Sequence, residues 1–150
     1  MTDPLATVIG LLERALPDDP GDHVWFARFE DFTVHVLTAS SHVTGQDIHD
    51  NEPLLEPTAR LLNQTGVNRH AVGDYRSALD HLTRALAILE RVLPADHPNI
   101  ATSLNNLGEV HRAMGNHPAA LDHHTRAHAI RERVLPPDHP DTRGPGRNFV

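Results

Sequence analysis

The sequence has neither cysteine nor lysine among its 150 residues. Without cysteine the chain can form no disulfide bond or thiolate metal site, and it has no thiol nucleophile. All 13 basic residues are therefore arginine, and 20 acidic residues give a formal net charge of −7 at pH 7. Because nucleic-acid-binding proteins normally carry a basic surface, this balance argues against a nucleic-acid partner.

Long apolar runs are also lacking. Residues 1–16 carry an early acidic residue and only a short apolar stretch, which predicts neither a secretion signal nor a membrane span. We therefore expect a cytoplasmic protein without a membrane partner. The length fits one domain with a continuous core.

A hexapeptide occurs twice, because Leu-Pro-Ala-Asp-His-Pro at 93–98 returns 42 residues later as Leu-Pro-Pro-Asp-His-Pro at 135–140. Aligned over residues 62–98 and 104–140, the two copies share 22 identities in 37 positions without a gap. A period of this length is typical of repeat proteins, each repeat being one supersecondary unit. Such proteins usually bind other proteins along an extended surface.

Helical spacing of apolar residues and the positions of proline and glycine predict two helix pairs. Gly73 and Gly115 are expected just after a helix, where positive φ is favoured, and Pro98 in a first helical turn. The four predicted helices are Pro57–Val72, Tyr75–Leu93, Pro98–Met114 and Pro118–Leu135.

The two ends of the chain depart from the period. We predict short helices at Pro4–Leu16 and His23–Ala39 and a polar loop at Ser40–Asn51, so that residues 1–56 form a degenerate helical cap. Residues 141–150 contain two glycines and a proline, which predicts a disordered tail.

Within each pair the pattern of large and small residues resembles the tetratricopeptide repeat. The matching positions are Leu62, Thr65, Gly66, Arg69, Gly73, Tyr75, Ala78, Leu82 and Ala85, then Leu104, Leu107, Gly108, His111, Gly115, His117, Ala120, His124 and Ala127. With the 42-residue period and Leu-Asn-Asn-Leu-Gly at 104–108, the pattern is similar to the kinesin-light-chain type. The resemblance implies an all-α fold, with antiparallel helix pairs at 57–98 and 99–140 stacked as a short right-handed superhelix.

The resemblance also implies a function, namely non-enzymatic binding of a protein or peptide segment in the concave groove lined by the first helix of each pair. Asn side chains there would hold a peptide backbone, since an amide offers both donors and acceptors, and Arg60 and Arg112 would meet acidic side chains. The implied partner-binding residues are Arg60, Asn63, Gln64, His70, Asn105, Asn106, Glu109 and Arg112.

A second resemblance concerns the first part of the chain. Leu-Pro-Asp-Asp-Pro-Gly-Asp at 16–22, with Trp25 after it and Leu-Leu-Asn-Gln at 61–64 further on, is similar to the start of the repeat region in actinobacterial NB-ARC-type ATPases. This implies an alternative function as a C-terminal sensor or regulatory fragment of such an ATPase. The nucleotide-binding lysine of those proteins has no counterpart here, so we expect no ATPase activity.

Histidine is abundant, with 13 residues, and His124 and His128 share one helix face at a spacing that can bind a metal. The alignment accounts for them otherwise, because they replace Leu82 and Leu86 with polar residues on a terminal helix. A His-rich metal-binding protein is thus a minor alternative, and we expect no cofactor. The uncovered end of a short stack is compatible with either a homodimer or a capped monomer.

Aspartate–histidine neighbours at 96–97, 138–139 and 122–123 raise the question of catalysis. The first two recur at equivalent inter-repeat turns, where we expect the aspartate to cap the next helix. A catalytic dyad is not expected at two equivalent turns, and no residues supply an oxyanion hole near Ser40 and Ser41. We therefore predict that the chain is not an enzyme.

Overall fold

The computed structural model describes residues 4–15, 35, 37–39, 41–42 and 52–134, and in these residues it contains helices and turns but no strand. The expected all-α class is confirmed for this part of the chain. The helices with assigned bounds are α1 (Pro4–Arg14), α2 (Glu52–Ala71), α3 (Tyr75–Val92), α4 (Pro98–Ala113) and α5 (His117–Val134).

The chain divides into two compact units, residues 1–92 and 93–150. In the first unit α2 packs along α3, and α1 packs against α2; in the second unit α4 packs along α5. We call α2 with α3 the first pair and α4 with α5 the second pair.

Both pairs are closed by the same kind of turn. Gly73 has φ of 82° and Gly115 has φ of 78°, as expected for the residue that follows a helix. Their amides donate to His70 O and Arg112 O, each at 3.0 Å. The amides of the next residues reach one residue further back, to Arg69 O at 2.9 Å and His111 O at 2.8 Å. These paired bonds satisfy carbonyl groups that a helix end otherwise leaves open.

The residue after each glycine also starts the following helix. Asp74 Oδ1 accepts from the Ser77 amide at 3.2 Å, and Asn116 Oδ1 accepts from the Ala119 amide at 3.3 Å. The hydrogen bonds from Ser77, with the nearby Arg69 charge adding to them, lower the pKa of Asp74. One short turn therefore ends the first helix of a pair and caps the second.

The start of α2 differs from the prediction. The helix begins at Glu52 and continues through Pro57, which we had expected at its first position. A proline in the second turn removes one backbone hydrogen bond. Burial of Leu55 and Thr58 and a bond from Thr58 Oγ1 to Leu54 O at 2.7 Å stabilise the extra turn.

Each pair has a close approach between its helices at a glycine of the first helix. A Cβ added at Gly66 would lie 2.5 Å from Leu82 Cγ, and one added at Gly108 would lie 2.7 Å from His124 Cε1. At these two positions a side chain would clash with the facing helix, so the observed contact requires glycine. The buried apolar side chains of the pairs include Leu61, Leu62, Ala78, Leu82 and Ala85 in the first pair, and Leu104, Leu107, Val110, Ala120 and Ala127 in the second.

The first hexapeptide copy has a different cap from the one expected. The residue that caps α4 is His97, whose ring Nδ1 accepts from the Asn99 amide at 3.1 Å. Asp96, which we had expected to cap, instead accepts from Arg133 Nη1 at 2.8 Å through Oδ1. The cause is the position of Pro98 at the start of α4, which leaves the residue directly before it, His97, as the cap.

Several predictions fall outside the described residues or only partly within them. The helix predicted at His23–Ala39 is described at His35 and 37–39, which are helical; Ser41 and His42 are also helical, so the predicted loop was wrong there. The rest of that loop, the aromatic residues from Trp25 to Phe32, and residues 135–150 with the second hexapeptide copy lie outside the described residues.

Gly115→Ala should destabilise the second pair by about 1–2 kcal/mol, because an L side chain is strained at this positive φ. The control is Gly10→Ala in the middle of α1, where an added Cβ meets nothing within 4 Å. That change should be neutral or stabilise by up to about 1 kcal/mol. Urea unfolding followed by circular dichroism measures both, and equal effects would contradict the assigned turn.

Candidate functional site

The partner-binding candidates of the first unit all lie on α2. Arg60 is exposed, whereas Asn63, Gln64 and His70 are half-buried. Gln64 Nε2 donates to Asn68 Oδ1 at 3.5 Å, and the His70 ring lies 5.6 Å from the Tyr75 ring, centroid to centroid. Since 60, 63 and 64 are three and four residues apart, they share one helix face.

The candidates of the second unit lie on α4, where the structure brings two of them into direct contact. Glu109 Oε2 accepts from Arg112 Nη2 at 2.6 Å and from Arg112 Nε at 3.1 Å. This hydrogen-bonded ion pair raises the pKa of Arg112. The Arg112 charge that we expected to meet an acidic partner is therefore already balanced within the helix.

His124 of α5 joins the same group of side chains. Its ring Nδ1 lies 3.2 Å from Asn105 Oδ1, and its Nε2 lies 3.3 Å from Glu109 Oε1. The three candidate residues Asn105, Glu109 and Arg112 thus form one connected cluster with His124, which we call the α4–α5 polar cluster. Asn106, also on α4, is half-buried.

Sequence reasoning missed the place of His124 in this cluster. We had assigned it to the polar outer face of a terminal helix, yet its ring packs onto α4 at Gly108, and that prediction was wrong for His124. The signal was present, since His124 aligns with Leu82 and Glu109 aligns with Val67. Both polar replacements occur in the same copy, as expected when two side chains touch.

His124 and His128, the two candidates for metal binding, have separate partners. His128 Nδ1 lies 3.5 Å from Glu132 Oε2 within α5, whereas His124 faces Asn105 and Glu109. His81 is buried with its Nδ1 hydrogen-bonded to Ser77 O, and His117 is exposed. Across the described residues, no three histidine, aspartate or glutamate side chains are arranged to hold a metal ion.

His123 lies beside the cluster and stacks on another histidine. Its ring is 5.2 Å from the His111 ring, with an interplanar angle of 14°. Its Nδ1 is buried without a hydrogen-bond partner among the described residues. Burial lowers the pKa of His123, and repulsion from His111 and Arg126 lowers it further, with Asp122 opposing.

The aspartate–histidine neighbours at 96–97 have structural partners, whereas those at 138–139 lie outside the described residues. Asp96 binds Arg133 and His97 caps α4, as described above, and Asp122 is exposed. Ser41 Oγ donates to Thr38 O at 2.8 Å.

Within the described residues, no helix is both long and apolar enough to span a membrane.

Comparison with known protein families gives a match over residues 57–133 to the family described as tetratricopeptide repeat. The match covers just over half of the chain. The chain belongs to the tetratricopeptide repeat family. This match includes α3, α4, most of α2 and nearly all of α5, so it contains both helix pairs.

One matching solved structure is the crystal structure of nearly identical TPR-like repeats of a Podosopora anserina kinesin light chain. It shares 19% sequence identity with this chain and has a TM-score of 0.47, and the match covers 92% of this chain and 69% of that chain. No curated protein sequence matches this chain. The tetratricopeptide repeats are established by the family match, whereas the resemblance to NB-ARC-type ATPases stays a prediction.

Gly108→Ala should lower the free energy of unfolding by about 1–3 kcal/mol, because the new methyl group would displace the His124 ring. In a His124→Ala background the same change should be neutral or stabilise by up to about 1 kcal/mol, since alanine favours a helix. A double-mutant cycle measured by urea unfolding tests this change of sign. An equal loss in both backgrounds would show that the ring does not occupy this place.

Acid should destabilise the second pair through His123. Because the folded state lowers the pKa of His123 from its usual 6.5, the unfolded chain binds the proton more readily, and stability falls as the pH drops below about 6.5. We expect His123→Leu to reduce this fall between pH 7.5 and pH 5.5, and His128→Leu to leave it in place. Thermal or urea unfolding at each pH measures the slopes; identical slopes in both variants would contradict the assignment.

Proposed function

We propose that this chain binds a peptide segment of a protein partner through α2 and α4, the first helix of each pair. Tetratricopeptide repeats mediate protein–protein interactions and typically act as non-enzymatic scaffolds. Protein binding thus follows from family membership, and we propose which side chains make the contact.

The observation that carries the proposal is the repeated amide at equivalent places on the two helices. Asn63 and Asn105 are 42 residues apart, on α2 and α4, and both are half-buried. Each pair therefore offers an asparagine at the same position of its first helix. An amide that both donates and accepts suits the alternating donors and acceptors of an extended peptide backbone.

Charge differs in its role on the two helices. Glu109 balances the charge of Arg112 on α4, so we propose that α4 contributes hydrogen bonds more than net charge. Arg60 of α2 is exposed, and we propose that it meets an acidic side chain of the partner. Two Arg112 nitrogens donate to the same oxygen, Oε2, of Glu109, and this contact restrains both side chains, which reduces the entropy lost on binding.

Replacing Asn63, Asn105 and Asn106 together by alanine should lower recovery of the physiological partner at least about tenfold, if each lost hydrogen bond contributes about 0.5–1.5 kcal/mol. The measurement is affinity capture with the purified chain and quantitative mass spectrometry, followed by titration of the partner identified.

The matched control is the double variant Thr83→Ala, Thr125→Ala. These exposed threonines lie at equivalent positions of α3 and α5, the second helices, so they should leave recovery unchanged. Circular dichroism confirms that both variants are folded. Equal recovery by the asparagine variant and the wild type would reject the assigned surface.

A further inference from the structure

The geometry around His124 contains an imbalance of donors and acceptors. One ring nitrogen faces Asn105 Oδ1 at 3.2 Å and the other faces Glu109 Oε1 at 3.3 Å. A neutral imidazole has one N–H donor, whereas the imidazolium has two. Only the imidazolium can donate to both oxygens in this arrangement.

The ring has little freedom to relieve this imbalance by moving. It lies against α4 at Gly108, where an added Cβ would come within 2.7 Å of its Cε1 and Nε2 atoms. Leu82 occupies the equivalent place against Gly66 in the first pair, so packing determines where this side chain lies. The polar partners of His124 thus lie around a packing site that both pairs share.

The Asn105 amide, in contrast, can adapt without changing its shape. A half-turn about its terminal bond exchanges Oδ1 and Nδ2. When His124 is neutral and donates from Nε2 to Glu109, its bare Nδ1 is an acceptor, and the turned amide donates to it from Nδ2. The Asn105 oxygen then points away from the ring, in the direction in which its NH2 group pointed before the half-turn.

We propose that His124 is a positioning residue for the partner-binding surface of α4, and that its protonation determines whether Asn105 offers a donor or an acceptor to the bound peptide. This inference rests on the proposed function, because it assigns regulation to the same surface. The proton comes from solvent, since His124 is partly exposed, with 32% of its side-chain surface accessible. With His124 protonated the donor face of Asn105 is presented, and with His124 neutral its oxygen is presented.

Charged and titratable groups reach His124 from both helices of the pair. On α4, the Glu109 carboxylate attracts the imidazolium, whereas Arg112, bound to the same carboxylate, repels it. His111 stacks on His123, and on α5 His123 interacts unfavourably with a charged His124. His128 lies one turn further along α5 and is paired with Glu132.

The proposal can be tested without any partner, by nuclear magnetic resonance of the full chain labelled with ¹⁵N. Ring ¹⁵N shifts report the protonation of each histidine, and the side-chain NH2 signals of Asn105 report its hydrogen bonding. Between pH 8 and pH 5 we expect the Asn105 signals to shift in a single transition with the same midpoint as the His124 ring.

Two variants separate His124 from its neighbours. His124→Leu should abolish the Asn105 transition, and it should remain folded because it recreates the packing of Leu82 on Gly66. His128→Gln, the control on the same face of α5, should retain the transition. Asn105 signals that do not change with pH, that follow His111 or His123 instead, or that still titrate in His124→Leu would overturn the proposal.

This test is independent of the capture experiment. If the asparagine variant keeps its partner while Asn105 follows His124, the proposed function fails and the positioning role stands. If the asparagine variant loses its partner but the Asn105 signals do not follow the protonation of His124, the binding surface stands and the positioning role fails.

Discussion

The close approach of two helices at a single glycine is the constraint on which both pairs depend. At Gly66 and at Gly108 there is no room for a methyl group, so the facing side chain lies directly on the helix backbone. In the first pair that side chain is a leucine and the contact is apolar. In the second it is a histidine, and the same fit brings its nitrogens within reach of Asn105 and Glu109. The steric fit at Gly108 therefore positions the histidine ring, and the polar contacts of the second pair follow from that position.

A fixed helix-to-helix distance also explains how the two copies could diverge without losing the fold. His124 occupies against Gly108 the place that Leu82 occupies against Gly66, and its two ring nitrogens contact polar side chains of α4. The small residues that face the partner helix, Ala78 with Ala85 and Ala120 with Ala127, stay buried in both pairs. The copies also differ at buried positions, where Thr65 and Asn68 of the first pair correspond to Leu107 and Val110 of the second.

Much of this organisation could be predicted because it depends on backbone rules. Glycine followed by aspartate or asparagine indicates a helix end and the next cap, and Gly73 and Gly115 adopt the expected positive φ. The hydrogen-bond partners of individual side chains, in contrast, could not be predicted from these rules. A sequence shows that His97 and Asp96 precede a helix, but which one caps it depends on the residue at which the helix begins. Likewise, the alignment of His124 with Leu82 indicates its place against α4 but not which atoms its ring nitrogens contact, and local pattern gave no reason to continue α2 through Pro57.

The repeated hexapeptide has a consequence for how the array could grow. Its first copy caps α4 through His97 and holds the end of α5 through Asp96 and Arg133, so it serves the pair that follows it. The first pair has Arg91 at the place of Arg133, but Leu54 stands at the place of Asp96, and no such tie is available. A duplication that copied the segment from one hexapeptide to the next would therefore add a pair already equipped with its own cap and ion pair. The unit that such a duplication would copy is offset from the helix pair, because its boundary lies in the segment between the two pairs.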